Sequence, residues 1–552
     1  MRSDDSMKQT RRLFWFVLST VLLCALLGGV YGQNVEATAG SGDESEVKTS
    51  LDEFTKLYGI VEQNYAEPLD ADQSVYGLEK TPFGLASTGL GAIPGMLRTL
   101  DPHSTFFDPH AYARLREDQA GKYFGVGMQI RGVPGKMGKM MTMVVWPMPG
   151  SPAFRAGLHP GDLIVAVNGK STEGMTTDDV AAVLKGPQGT VVRVAVTREG
   201  SDKPLEFVIT RDEISRKSVD NAFYIRPGIA YIHLIGFNET TNDELTDALK
   251  SLDEKNIKAL ILDMRDNPGG LLKEAVEVSD HFLEKGQLIV YHFGRRSEKQ
   301  TYYARHGDDD HEYPMIILIN RNTASAAEIV TGALQDHDRA LVIGEPSFGK
   351  GLVQSVYQLG DHTGLALTTA HYYTPSGRLI QRDYEDVSLY DYYMRYEEAA
   401  PRRTEVRLTD GGREVYGGGG ITPDVEIKEP KPTPFEETLA GRGVFFNFGK
   451  YYLGVHKTVP KDFTVSPEVM QEFQHFLETE HVKATSENIR DDSDFIKNRI
   501  RTQLIAVIYG SNEGDRIAKE NDYVLDKAVE YVTQAKDLMA SSKKVVASKG
   551  LR

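Results

Sequence analysis

Two short apolar runs, MIILIN (Met315–Asn320) and ALVIG (Ala340–Gly344), bracket a helix-like segment that opens at Ser325. Runs this short and this uniformly apolar suit strands buried on both faces of a parallel sheet, a topology that needs helical crossovers. In such sheets ligands and chemistry collect at the carboxyl ends of the strands. Ser325 and Lys350 each fall just past one of these runs, 25 residues apart. That placement makes Ser325 a candidate nucleophile and Lys350 its candidate base.

Each residue has a plainer reading. Ser325-Ala-Ala-Glu328 fits a capping box, with the serine capping a helix and the glutamate reaching back. The two readings are compatible, because a serine at a helix start also sits among free N–H groups suited to an oxyanion. Gly344-Glu-Pro-Ser-Phe-Gly349-Lys350 matches a phosphate loop. Against that, Gly351 stands where the loop needs Ser or Thr for magnesium, and Leu352–Leu359 alternates like a strand instead of opening a helix. A basic lysine must also lose its proton readily. At pH 7 a free lysine is neutral in only about one molecule in 2,500, and half-neutrality costs roughly 4–5 kcal/mol. Burial beside Phe348, Leu352 and Val353 can supply a shift of that size.

With Ser325, Lys350 and the Gly349-Lys350-Gly351 loop in place, the chain resembles the carboxyl-terminal processing peptidases, serine–lysine proteases that carry a PDZ domain. The resemblance covers roughly residues 51–426. It implies that Gln354 orients the lysine. It also marks Asp336, eleven residues after the serine, as a position implicated in some members; an acidic residue at a helix end otherwise reads as a surface group. The segment DNPGGLL (Asp266–Leu272) carries the family's oxyanion motif, implying a donor at Gly269 or Gly270 with Ala326 as the second. The same run also reads as a tight turn, since Pro-Gly-Gly permits unusual backbone angles. The implied fold is α/β and multidomain: a crotonase-like strand–helix core with an inserted PDZ domain and helical N- and C-terminal regions.

Taken in order, the chain divides as follows. Residues 1–32 place Lys8, Arg11 and Arg12 before an apolar run, Leu13–Val30, and read as a secretory signal or a membrane anchor. The single cysteine, Cys24, lies in that run behind Leu23, so no lipid-attachment box forms and no intramolecular disulfide exists. Export without disulfides fits a periplasmic protein, anchored to the inner membrane if the run stays. Residues 33–50 form a polar linker. In 51–118, a helical region, Leu51, Phe54, Leu57, Tyr58 and Val61 keep helical spacing, and DPHSTFF (Asp101–Phe107) reads as a turn in which His103 bonds locally.

Residues 119–213 look like the PDZ domain. KYFGVGMQI (Lys122–Ile130) resembles its carboxylate-binding loop, with Tyr123, Phe124, Gly125, Val126 and Gly127 facing a peptide C-terminus. SPAFRAGLHPGDLIVAVNGKS (Ser151–Ser171) matches the module's core, while Lys136 and Lys139 read as a solvated hairpin. The core occupies 214–428. Its YTPSGR stretch (Tyr373–Arg378) resembles a family segment, whereas Arg382–Gly412 departs from the family pattern. That segment clusters Tyr384, Tyr390, Tyr392, Tyr393 and Tyr396 as a substrate-contacting lid or a packed flap.

Residues 429–552 read as three amphipathic helices, the last from Asp515 to Met539. They either pack on the core or form a homo-oligomer interface. The net charge of −16 argues against nucleic acid as partner. No metal or cofactor is implied. The expected function is therefore an exported serine endopeptidase that cleaves near the C-termini of unfolded or tagged proteins. The competing reading is a PDZ scaffold with a dead core, and an activating adaptor is compatible with either.

Overall fold

The computed structural model describes residues 48, 51–52, 54–59, 72–76, 78–81, 84–87, 91–135, 139–198, 200–307, 312–360, 362–385, 387–394 and 405–549. The expected leader and linker lie outside them, Lys48 excepted, as do Val61, Lys136 and Tyr396. The chain forms two compact units, residues 1–74 and 75–552. In the first, 51–52 and 54–59 are helical, and the Phe54 and Tyr58 rings stack at 6.4 Å, one turn apart.

The second unit is built on a six-stranded sheet in the order Val219–Arg226, Ile229–Leu234, Ala259–Asp263, Met315–Ile319, Ala340–Gly344, Val425–Glu426. All neighbours run parallel except the first pair. Every residue of the three central strands is buried, which is why their sequences run apolar without alternation. One apolar layer joins this sheet to the helices Thr241–Ser251, Leu272–Asp280 and Ala326–Asp336. The opposite face is covered by Val524, Leu525, Ala528 and Ala535 of the tail. A second sheet places Leu352–Gln358 against Gly364–Tyr373, with Leu288–Phe293 and Gln300–Tyr303 beyond.

Residues 128–210 close a separate sheet with its own core, including Val144, Ile164, Val180 and Val194. Ser151 caps Pro152–Ala156, which ends at the left-handed Gly157, as the sequence indicates. Met128–Pro134 is an edge strand of this sheet, and Thr177–Leu184 packs beside it.

Four features differ from the sequence expectation. Residues 51–118 are not wholly helical: they include a hairpin, Leu78–Thr81 with Gly84–Ser87, and the strand Thr105–Phe107, which joins Gly364–Tyr373. Lys122–Gly125 is a strand paired with Asp212–Ser215, not a loop. The tail holds more than three helices, and the run expected over 515–539 is broken, because Asp522 caps a new helix at Tyr523–Glu530. Asp336 is buried, not a surface residue: its carboxylate takes a 2.7 Å hydrogen bond from the fully buried Arg378 guanidinium and a 2.9 Å one from Ser376 N–H.

Candidate active site

The turn between Ile319 and the helix Ala326–Asp336 is tied to its neighbours by hydrogen bonds to main-chain carbonyls. Thr323 Oγ1 donates to Met264 O at 2.8 Å, and Ala324 N–H donates to Asn267 O at 2.9 Å. Ser325 is held in this turn at φ 55°, ψ −116°, a sparsely populated conformation that costs strain in a residue other than glycine. The capping-box expectation is met on the glutamate side: the Glu328 carboxylate accepts Ser325 N–H at 2.8 Å. The serine hydroxyl makes no cap hydrogen bond; its main-chain carbonyl accepts the Glu328 N–H at 2.9 Å instead.

Glu328 is fully buried and binds both halves of the site. It accepts Ser347 Oγ–H at 2.5 Å, Gly349 N–H at 2.7 Å and Lys350 N–H at 2.9 Å. Burial pushes its carboxyl above the usual range, against the pull of those four donors. Tyr372, also buried, spans the same gap. Its hydroxyl lies 2.6 Å from Lys350 O and 3.1 Å from Ser325 O. Burial holds the phenol well above its ordinary pKa, so it remains a donor.

Ser325 and Lys350 line one cavity of about 680 Å³. Its wall includes Phe237, Leu271, Ile329 and Val353, with Arg216 and Lys217 also lining it. Burial lowers the Lys350 pKa, opposed by the charges of Glu328 and Asp101. Its Nζ donates to Gln354 Oε1 at 2.8 Å, and Gln354 Nε2 donates to the His103 carbonyl at 2.7 Å. Thus Ser325, Lys350 and Gln354 are brought together, whereas Asp336 does not line the cavity.

The two glycines of the DNPGG turn are not equivalent. Gly269 is buried at φ 91°, and a Cβ there would lie 2.8 Å from Ser325 Cβ and 2.7 Å from Ala326 N. Its N–H is taken by Asn267 Oδ1 at 2.8 Å. Gly270 is exposed to the cavity, and among the described residues neither its N–H nor that of Ala326 has an acceptor. In the other module, Val126 and Gly127 N–H groups likewise lack acceptors among the described residues, while Tyr123, Phe124 and Gly125 sit in the paired strand.

Four residues were not singled out from sequence: Asn267, Ser347, Tyr372 and His103 as an anchor. Asn267 had a signal, an Asx residue before Pro-Gly-Gly, the usual setting for a side chain that bonds a backbone N–H two residues on. The others act across sequence gaps that no local pattern reveals. His103 does not bond locally through its ring. Its Nε2 lies 3.0 Å from Tyr392 Oη.

A model of peptidase family S41 matches residues 228–387, and a PDZ-domain model matches 143–198. A carboxy-terminal-processing protease of Bartonella bacilliformis is 37% identical over 430 residues, covering 77% of this chain and 85% of that protein. A carboxyl-terminal-processing protease of Synechocystis sp. is 35% identical over 386 residues, covering 68% and 86%. A solved structure, a photosystem II D1 C-terminal processing protease, is 31% identical, covers 61% of this chain and 80% of its own, and gives a TM-score of 0.33. The chain belongs to the carboxy-terminal processing proteases of peptidase family S41, serine-type peptidases, and carries a PDZ domain.

Proposed function

We propose that this peptidase cleaves exported, unfolded or tagged proteins near their C-termini, with a Ser325–Lys350 dyad, after its PDZ domain has captured the substrate's terminal carboxylate. The observation that carries the reading is the cavity that holds Ser325 and a lysine whose pKa is lowered by burial. Neutral Lys350 Nζ takes the Ser325 hydroxyl proton as Oγ attacks the scissile carbonyl, then returns it to the leaving amine. Gln354 holds the lysine. The Gly270 and Ala326 N–H groups, without acceptors among the described residues, receive the developing oxyanion. Gly269 serves by its lack of a side chain.

For capture, the Val126 and Gly127 N–H groups, without acceptors among the described residues, suit a carboxylate, and the edge strand Met128–Pro134 suits an added peptide strand. Export to the periplasm rests on the basic residues followed by the apolar run Leu13–Val30. Among the described residues no helix is long and apolar enough to cross a membrane, and that run lies outside them.

The test is proteolysis of an unfolded protein by the purified chain, Ser325→Ala and Lys350→Ala, alongside binding of a C-terminal peptide. Cutting by wild type alone, with peptide binding in all three, is the expected result. Equal cutting by all three refutes the dyad.

A further inference from the structure

The helix Leu389–Met394 lies just past the residues that the S41 family matches, 228–387, and two of its tyrosines meet the turn that anchors Gln354. We propose that Tyr392 and Tyr393 are positioning residues of this peptidase: they hold the turn 101–104, whose His103 carbonyl orients Gln354 and, through it, Lys350. The proposal rests on the Ser–Lys reading above.

An amide side chain offers donors on one side and an acceptor on the other. A main-chain carbonyl can only accept. By binding Gln354 Nε2, the His103 carbonyl forces Oε1 to face Lys350, where it fixes one N–H of the amine. The direction of the amine lone pair therefore depends on where His103 sits. The turn below it is stiff, with Asp101 Oδ1 accepting both His103 N–H and Ser104 N–H at 2.7 Å. Above it stands the tyrosine pair. Tyr392 Oη lies 3.0 Å from His103 Nε2, and Tyr393 Oη donates to Pro102 O at 2.8 Å. The rings of Phe348, Tyr392 and Tyr393 meet the imidazole edge-on at 6.3, 5.6 and 6.1 Å between centroids.

The strap is itself fastened to the lysine loop. The Arg382 guanidinium lies over Phe348 and Tyr392 at 4.4 and 4.3 Å and donates to Tyr392 O at 2.5 Å. Gln381 bonds Tyr392 Oη through Nε2 at 3.3 Å and accepts Gly351 N–H through Oε1 at 2.8 Å. Burial, then the charge of Lys350, push the His103 imidazole down to about 4, so a neutral ring sits beside the amine at working pH. The other charged groups around Lys350 are Glu328 and Asp101, with Arg382 beyond the ring. Loosening the strap lets water reach the lysine and raises its pKa.

The experiment measures kcat and KM for an unfolded substrate between about pH 5 and pH 10, using the full chain, Tyr392→Phe/Tyr393→Phe, Tyr303→Phe as an exposed control, and Lys350→Ala. The phenylalanines keep the ring packing, so melting temperature should change little. In the double variant kcat should fall about tenfold, KM should stay within about twofold, and the rise of kcat with pH should move to higher pH. Wild-type kcat and pH profile in the double variant, with Lys350→Ala inactive, overturn the strap alone. A change confined to KM makes the tyrosines substrate contacts and also overturns it. Full activity in Lys350→Ala overturns the dyad itself.

Discussion

A side chain at Gly269 would begin 2.6 Å from Ala324 O and 2.8 Å from Ser325 Cβ, at φ 91°. Gly269→Ala is therefore expected to abolish proteolysis and to cost about 1–3 kcal/mol of stability, read by thermal melting beside an activity assay. Lys350 carries a signed pH effect. Its folded-state pKa lies below the usual 10.5, so over that window the unfolded chain binds more protons and stability rises with pH. Lys350→Met removes the buried ammonium. It should abolish activity yet raise the melting temperature at pH 7, and that gain should shrink towards pH 10; a gain that grows with pH contradicts the assignment. Ser325 and Lys350 stood out as candidates because each follows an apolar run, and Gln354 because the family resemblance points to it. His103 was not, because what it contributes is a main-chain carbonyl to a residue 251 positions away.

The helix Ala326–Asp336 is fixed at both ends, by Glu328 near the serine and by Asp336 against Arg378 at the other. Both members of that ion pair are buried, with side-chain exposures of 0% and 1%. Asp336→Asn leaves the guanidinium without its carboxylate and should cost about 3–5 kcal/mol in urea unfolding. Asp336→Asn with Arg378→Met should recover part of that. Equal losses in single and double variants would deny the coupling. The buried strands Met315–Ile319 and Ala340–Gly344 were readable from local pattern. The strand Lys122–Gly125 was not, since its partner Asp212–Ser215 lies far along the chain. The break before Tyr523 was hidden by helical spacing that continues across it, while Asp522 supplies a cap.

Across the whole molecule the tail divides its labour. Helices between Pro434 and Lys519 build their own apolar core around Phe448 and Phe473, while Val524, Leu525 and Ala528 cover Tyr231, Ile261, Ile316 and Leu341 of the sheet. Asp522 also receives two hydrogen bonds from Arg265, at 3.0 and 2.6 Å, four residues before Gly269. A chain ending at Gly510 uncovers that face and strips Arg265 of a partner. It should fail to give a soluble, cooperatively melting protein, while Asp522→Ala in the full chain should lower the melting temperature and reduce turnover. The amphipathic faces of the tail were legible, but which surface they cover was not, since apolar periodicity names no partner. The PDZ module is joined to the core through the ribbon formed by Lys122–Gly125 and Asp212–Ser215. Asp118 and Gln119 lie just before one strand, Arg216 and Lys217 just after the other, and all four line the cleft. With both ends of the ribbon continuing into that wall, a rotation of the PDZ module about these two strands would carry the four lining residues with it.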